Sequence, residues 1–368
     1  MFKRIASALA GAVVVLATTA APANAAAIAR PVDLGTLPGG LTSAGARVNY
    51  HGTVFGTAYD SAFHEHGARW DAAGRISELR PPLDGYDTVR AVALNEAGVA
   101  IGNSMGSIIT GRAALWDASG VPVALPLSDE FPHHPFSEAS AINEHGMVAG
   151  FVYGAPGPDT VVRWDTGRGT VTELGFGRAV AINEAGAVIS QNTYWDPAGT
   201  VVELAEGGSL HDLDDAGTVV GSSGLQAAKW DSAGHLTVLD TTWASSTALA
   251  ITADGTIFGE VTGTDHKTRV ARWDRTGIVT VLPTPGDVPS RFTAAGRTGV
   301  VLGRTDTGTS FTWDTAGRVS VLPLLADDGS CYANGLTDWA VTGSCSVPGQ
   351  NSHAVLWKLG EPTGNRAG

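Results

Sequence analysis

The stretch SEASAINEHGMVAGFVY (137–153), followed by VVRWD (161–165) and TVTELG (170–175), holds one full copy of the unit from which the chain is built. Its first segment alternates small and apolar residues up to Asn143, turns through Glu144, His145 and Gly146, and returns through Met147, Val148 and Gly150. That alternation is the period of a half-buried strand. An Asn whose side chain can bond its own backbone, with Gly three positions on for positive φ, makes the turn a hairpin. Related turns run from Asn49 to Gly52, Asn95 to Gly98, Asn183 to Gly186, Asp214 to Gly217 and Thr252 to Gly255. These Asn and Gly residues read as structural.

A second tight turn begins at the Asp of a Trp-Asp pair and joins the third strand to the fourth. The pairs are Trp70-Asp71, Trp116-Asp117, Trp164-Asp165, Trp195-Asp196, Trp230-Asp231, Trp273-Asp274 and Trp313-Asp314, with Trp357-Lys358 as a degenerate last member. Their intervals are 46, 48, 31, 35, 43, 40 and 44 residues. Such a period with four strands per unit points to propeller blades. Asp opening the turn and Gly closing it fit a type I turn with a bulge, so the aspartates read as turn caps rather than catalytic carboxylates. The Trp ring is expected to pack between neighbouring blades, filling a wedge that widens with radius.

The fourth strands settle how the ring would close. They read ISEL (76–79), VPVALP (121–126), VTELG (171–175), VVELA (201–205), LTVLD (236–240), VTVLP (279–283) and VSVLP (319–323). An eighth, PVDLGTLP (31–38), precedes the first hairpin, and nothing comparable follows Trp357. The count balances if the N-terminal strand completes the last blade, which also hides two sheet edges. The expectation is an all-β protein, an eight-bladed propeller of four-stranded blades. The short third and fourth intervals, and Ser190 where other copies carry Gly, leave seven blades with an irregular insert as the alternative.

With LGTLPGG (34–40), SAINEHGMVAG (140–150) and AVAINEAGAV (179–188), the chain resembles the HAF-repeat family of probable extracellular bacterial proteins over residues 31–359. The His-Ala-Phe triplet behind that name stands here as GARW, RAALW, VARW or HAVLW. The resemblance implies secretion and repeated β-structure, and brings no catalytic residue.

Residues 1–25 read as a secretion signal: Lys3 and Arg4, an apolar run from Ile5 to Leu16, and Ala23-Asn24-Ala25 before the cleavage point. Residues 26–30 then form a short linker, 31–359 one propeller domain and 360–368 a tail. No later stretch is apolar over the roughly 20 residues of a membrane span. Net charge is −13, and −15 once the signal's two basic residues are gone, which argues against a nucleic-acid partner. Export places Cys331 and Cys345 in an oxidising compartment, where one local disulfide across the first two strands of the closing blade is expected. No cofactor is implied, and a monomer is expected.

In such a blade the tight turns share one face, while the connections from strand two to three and from blade to blade share the other. The second set varies between copies, so any site is expected there. Candidate ligand-binding residues are Tyr59, Phe63, His64, His66, Tyr86, Asp129, Glu130, Phe131, His133, His134, Phe136 and Trp243, with Tyr153 as a further aromatic outside the repeat core. Neither histidine pair has a diagnostic metal spacing, and no metal is assigned. No G-x-S-x-G, H-E-x-x-H, phosphate loop or EF-hand loop occurs. The reading is a secreted, non-enzymatic module that binds an extracellular carbohydrate, peptide or protein. The alternative is a propeller glycoside hydrolase or polysaccharide lyase drawing its acid and base from carboxylates such as Asp60, Asp84, Asp87 and Asp129.

Overall fold

A computed structural model describes residues 28–106, 111–127, 135–154, 157–204 and 207–360. Residues 1–25, read above as a signal, and those beyond Gly360 lie outside them, as do Asp129, Glu130, Phe131, His133 and His134. The described chain forms eight four-stranded sheets, and every strand pair in them is antiparallel. Seven blades are consecutive: 42–79, 86–124, 136–176, 181–203, 208–238, 245–281 and 290–321, here blades 1 to 7. Blade 8 joins Cys331–Leu336, Ala340–Ser346 and Ser352–Lys358 to the N-terminal strand Val32–Gly35. Val32 pairs with Leu356 and Asp33 with Val355, so the chain's two ends zip together. Each blade's first strand touches the first strands of the blades before and after it, round to blade 8 against blade 1. The first strands therefore line the axis, and the ring of eight is closed.

The Trp of each third strand is at most 2 % exposed. In five blades its indole N–H donates across the seam to the carbonyl that follows the previous blade's outer strand. Trp116 reaches Arg80 at 2.9 Å, Trp164 reaches Pro126 at 2.7 Å and Trp357 reaches Pro323 at 2.8 Å. In these five blades the ring fills the wedge and satisfies its one polar atom there, whereas the Trp273 indole N–H is buried without a partner. The following Asp caps its turn, as Asp117 does by accepting the N–H groups of Ser119 and Val121. These backbone bonds hold Asp71, Asp196 and Asp231 below the usual carboxylate range.

One glycine per blade sets how near the inner strand can come. Gly150 pairs with Ala139 beside a bulge in the inner strand, and a Cβ on it would fall on the Glu138 carbonyl and the Trp164 ring. Gly56, Gly102, Gly221, Gly259, Gly303 and Gly343 hold the same register. In blade 4 that register falls to Ser190, and there the inner strand shrinks to Ala181–Ile182. The serine Cβ stands where the inner strand would approach, so blade 4 is a truncated blade rather than an insert. This decides for eight blades over seven.

Cys331 and Cys345 face each other across the first two strands of blade 8, with Cα atoms 4.1 Å apart, and are bonded.

Two outcomes are expected. Gly150→Ala should lower the unfolding free energy in urea by about 1–3 kcal/mol, the usual range for overpacking, whereas Ser190→Gly should leave it unchanged or raise it. Cys345→Ala should cost about 2–4 kcal/mol, and titration of the native protein with a thiol reagent should find no free sulfhydryl.

Candidate functional site

The two faces of the ring differ in what their turns carry. On the hairpin face, buried asparagines pass hydrogen bonds from blade to blade. Asn49 donates to the Asn95 carbonyl, Asn95 to that of Asn143, Asn143 to that of Asn183 and Asn183 to that of Asp214, at 3.0–3.2 Å. The next residue forms a second ladder. Glu96 accepts the N–H of Tyr50 at 2.6 Å, Glu144 that of Glu96 at 2.8 Å, and Glu184 and Asp215 continue it at 3.0 Å. Burial raises the Glu96 carboxyl, and Glu144 adds to the rise.

Arg297, at the equivalent turn of blade 7, reaches into this acidic arc. Its guanidinium lies 2.6 Å from Glu144 of blade 3 and 3.9 Å from Glu184 of blade 4. Blades 7 and 3 are opposite one another in a ring of eight, so this ion pair is a strut across the axis. Burial alone would depress the Arg297 guanidinium, but Glu144, Glu96 and Glu184 outweigh it and the net shift is upward. Beside the strut, Asp338 of blade 8 bonds the Tyr50 hydroxyl and accepts the Thr298 N–H at 3.1 Å. The hairpin mouth of the channel is therefore crossed by side chains, and approach to the axis is from the variable face.

On that face, blades 2 to 4 build a wall of aromatic and charged groups. The rings of Phe136 and Tyr153, cross-strand partners in blade 3, are 5.5 Å apart and tilted by 42°. Phe151 lies 5.6 Å from Tyr153, and the Arg178 guanidinium sits 4.6 Å over the Phe151 ring. Asp159 fixes Arg178 at 2.6 Å and raises its pKa. The Tyr153 hydroxyl accepts the Gly111 N–H from blade 2 at 2.9 Å. Burial raises the Tyr153 phenol, with Glu138 and Tyr86 adding to the shift, and Tyr153 and Glu138 both lie against Gly111. Phe136, Tyr153, Tyr86 and Glu138 are half-buried, and Phe176, two residues before Arg178, is 73 % exposed.

Of the expected ligand residues, Tyr86 and Phe136 come together here with Tyr153. Tyr59, Phe63, His64 and His66 lie apart in blade 1. Phe63 is 68 % exposed at a positive φ of 63°, while Asp60 engages His64 at 3.1 Å and Glu78 engages His66 at 3.1 Å. Backbone N–H groups, that of His64 foremost, hold Asp60 down at about 2. Trp243 packs against the core of blade 6, which makes it a loop anchor rather than part of the wall. Arg178, Phe151, Glu138 and Phe176 escape a reading of the sequence, although an Arg beside an exposed aromatic in GFGRA (175–179) is a usable signal. The hairpin ladder escapes it too, and the Glu repeated after Asn95, Asn143 and Asn183 is its trace.

No family model matches the chain, and no curated protein does. Among solved structures it is similar to the Dos1 propeller, with TM-score 0.52, 12 % identity, and coverage of 92 % of this chain and 96 % of that one. Porphyromonas gingivalis dipeptidyl peptidase 4 gives 0.54 at 12 % identity, covering 90 % of this chain and 61 % of that one. Virginiamycin B lyase from Staphylococcus aureus gives 0.48 at 13 %, covering 89 % and 98 %. At such identities the likeness is one of fold alone.

The strut carries a pH signature. Removing Arg297 leaves the carboxylates of Glu96, Glu144 and Glu184 facing one another, a cost that exists only while they are ionised. Arg297→Ala should therefore lower the melting temperature at pH 7, and the gap from wild type should close in acid, by about pH 3, where carboxylates are protonated and the raised Glu96 is neutral first. Thermal melts at the two pH values check this, and a gap that is the same at both would assign Arg297 a packing role only.

Proposed function

We propose that the chain is a secreted, non-enzymatic binding propeller that holds an extracellular carbohydrate on the wall of blades 2 to 4. The supporting observation is the juxtaposition of Phe136, Tyr153 and Phe151 with Arg178 and Glu138 on the face opposite the strut, with Phe176 exposed on the outer strand of the same blade. Half-exposed aromatic rings stack on the C–H faces of sugars, and fixed charged groups beside them orient hydroxyls. The resemblance of the repeat to HAF-repeat proteins and the signal-like first 25 residues support export, and the chain acts as a monomer in this reading.

Chemistry would ask more of the site. Glycoside cleavage needs two carboxyl groups roughly 5–10 Å apart with separate roles, and in the wall Asp159 is committed to an ion pair with Arg178 at 2.6 Å. Binding is the function these groups suit.

A glycan array probed with the protein lacking residues 1–25 should give a defined set of polysaccharide hits. Tyr153→Ala and Arg178→Ala should each weaken capture by about tenfold or more, equivalent to about 1.4 kcal/mol, while the circular dichroism spectrum stays unchanged. Hits that shorten with time under the protein would make it a hydrolase or lyase. Capture of extracellular peptides with no glycan binding would move the ligand to a different class.

A further inference from the structure

The aromatic wall has a counterpart on the other side of the ring, built from charge. In blade 3, Glu138 and Phe151 pair directly across the first two strands, one step from the Gly150 register toward the variable face. Blade 7 stands opposite blade 3 in a ring of eight, and at the same register, one step from Gly303, it pairs Arg291 with Arg304. Residues paired directly across an antiparallel ladder share one face of the sheet, and like charges set there repel. In the six other blades whose ladders reach this register, the paired residues are never both charged.

Only one of the two guanidiniums is answered by a carboxylate. Glu260 of blade 6 accepts the Phe292 N–H on Oε1 at 2.8 Å and Arg291 Nη1 on Oε2 at 3.1 Å, so both its oxygens serve the seam between blades 6 and 7. Among the described residues the Arg304 guanidinium has no ion-pair partner and no hydrogen bond, and it lies 5.9 Å from the centre of the Tyr332 ring in blade 8. Arg291 and Arg304 are exposed, and Tyr332 is 50 % exposed. In a chain with 36 acidic and 23 basic residues, carboxylate partners are in excess, yet this cation is left without one. A cation held over a ring at an exposed site gains about as little as the like-charge pair beside it costs, so holding the seam to blade 8 does not account for the arrangement.

We infer that Arg304, Arg291 and Tyr332 form a second subsite of the variable face, one that takes the carboxylate of an acidic sugar residue. The inference rests on the carbohydrate reading above and narrows it to acidic polysaccharides, and the subsite shares no residue with the wall. A guanidinium presents its N–H donors in a planar fork that matches the two oxygens of a carboxylate. Arg304 supplies the fork, Arg291 adds a second positive charge beside it, and the half-exposed Tyr332 ring offers a face to the C–H groups of the sugar. A carboxylate placed there also relieves the repulsion between the two arginines, so binding removes a cost that the empty fold carries.

The test is calorimetric titration of the protein lacking residues 1–25, at pH 7 and low salt, with oligomers of galacturonate, guluronate and glucuronate. Each is run beside its methyl ester, which keeps the sugar and removes the charge, and a sulfated oligosaccharide of the same length controls for charge without carboxylate geometry. At least one acid oligomer should bind about tenfold or more tightly than its ester. Arg304→Gln should erase that preference and leave ester binding as it was, and Tyr332→Ala should weaken the acid oligomer by about tenfold. The melting temperature of Arg304→Gln should be unchanged or higher, because a like-charge pair is lost; a lower one would assign Arg304 to the seam and overturn the inference. It is overturned equally if every ester binds as well as its acid, if the sulfated control binds more tightly than the best acid, or if Arg304→Gln binds the acid as wild type does. Capture of neutral glycans that Tyr153→Ala removes, with no preference for acids, overturns this subsite and leaves the carbohydrate reading standing, whereas no glycan binding of any kind overturns both.

Discussion

Everything in this molecule depends on a ring that must close. A blade cannot bury its faces alone: each sheet is covered by its neighbours, and the eighth is covered only if it meets the first. The antiparallel ladder from Val32–Gly35 to Ser352–Lys358 makes that meeting covalent in effect, because breaking the ring now requires stripping a strand from the sheet. The Cys331–Cys345 bond sits in the same blade and ties its other two strands. Closure by exchange of a strand between chain ends also removes two edges on which other chains could pair.

The seams are not stitched alike round the circle. From blade 1 to blade 5 the Asn amides and the carboxylates that follow them repeat one pattern, four links of each kind. Blade 5 has Asp214 where an amide donor would be needed, and the pattern stops there. Asp212 then bonds Ile251 across the seam to blade 6, Glu260 bonds Phe292 across the next, and Asp338 bonds Thr298 between blades 7 and 8. Half the ring is held by a repeated device and half by individual ones. Arg297 belongs to the irregular half and is anchored on the regular half, so the strut couples the two across the axis.

What could be read from the sequence is what acts within one repeat. A turn built from Asn143 to Gly146 or from Asp117 to Gly120 is decided by neighbours in the chain, so the hairpins, the fourfold strand count and the closing strand were all legible. Ser190 was visible as an oddity, but its consequence, a two-residue inner strand, follows from how close an inner-strand backbone must come to the glycine register. The seam ladders link residues 31 to 48 apart in the chain, and nothing local marks a Glu as the acceptor for another blade. The candidate site divides for the same reason. Tyr86, Phe136 and Tyr153 stand out as aromatics off the repeat, yet Tyr59, Phe63 and Trp243 stand out equally, and only blade order separates those that meet from those that do not.

A repeat copied eight times would by itself give a symmetric tube with equal mouths. The departures from symmetry are few and lie at matched heights. One end carries acidic turns bridged by a single arginine, and the other carries aromatic rings on two adjoining blades. Such departures cost electrostatic free energy that a small consensus residue would avoid: desolvation lowers the pKa of the Arg47 guanidinium and raises that of the Asp212 carboxyl. A scaffold whose stability rests on repetition therefore marks its functional positions by where it gives repetition up.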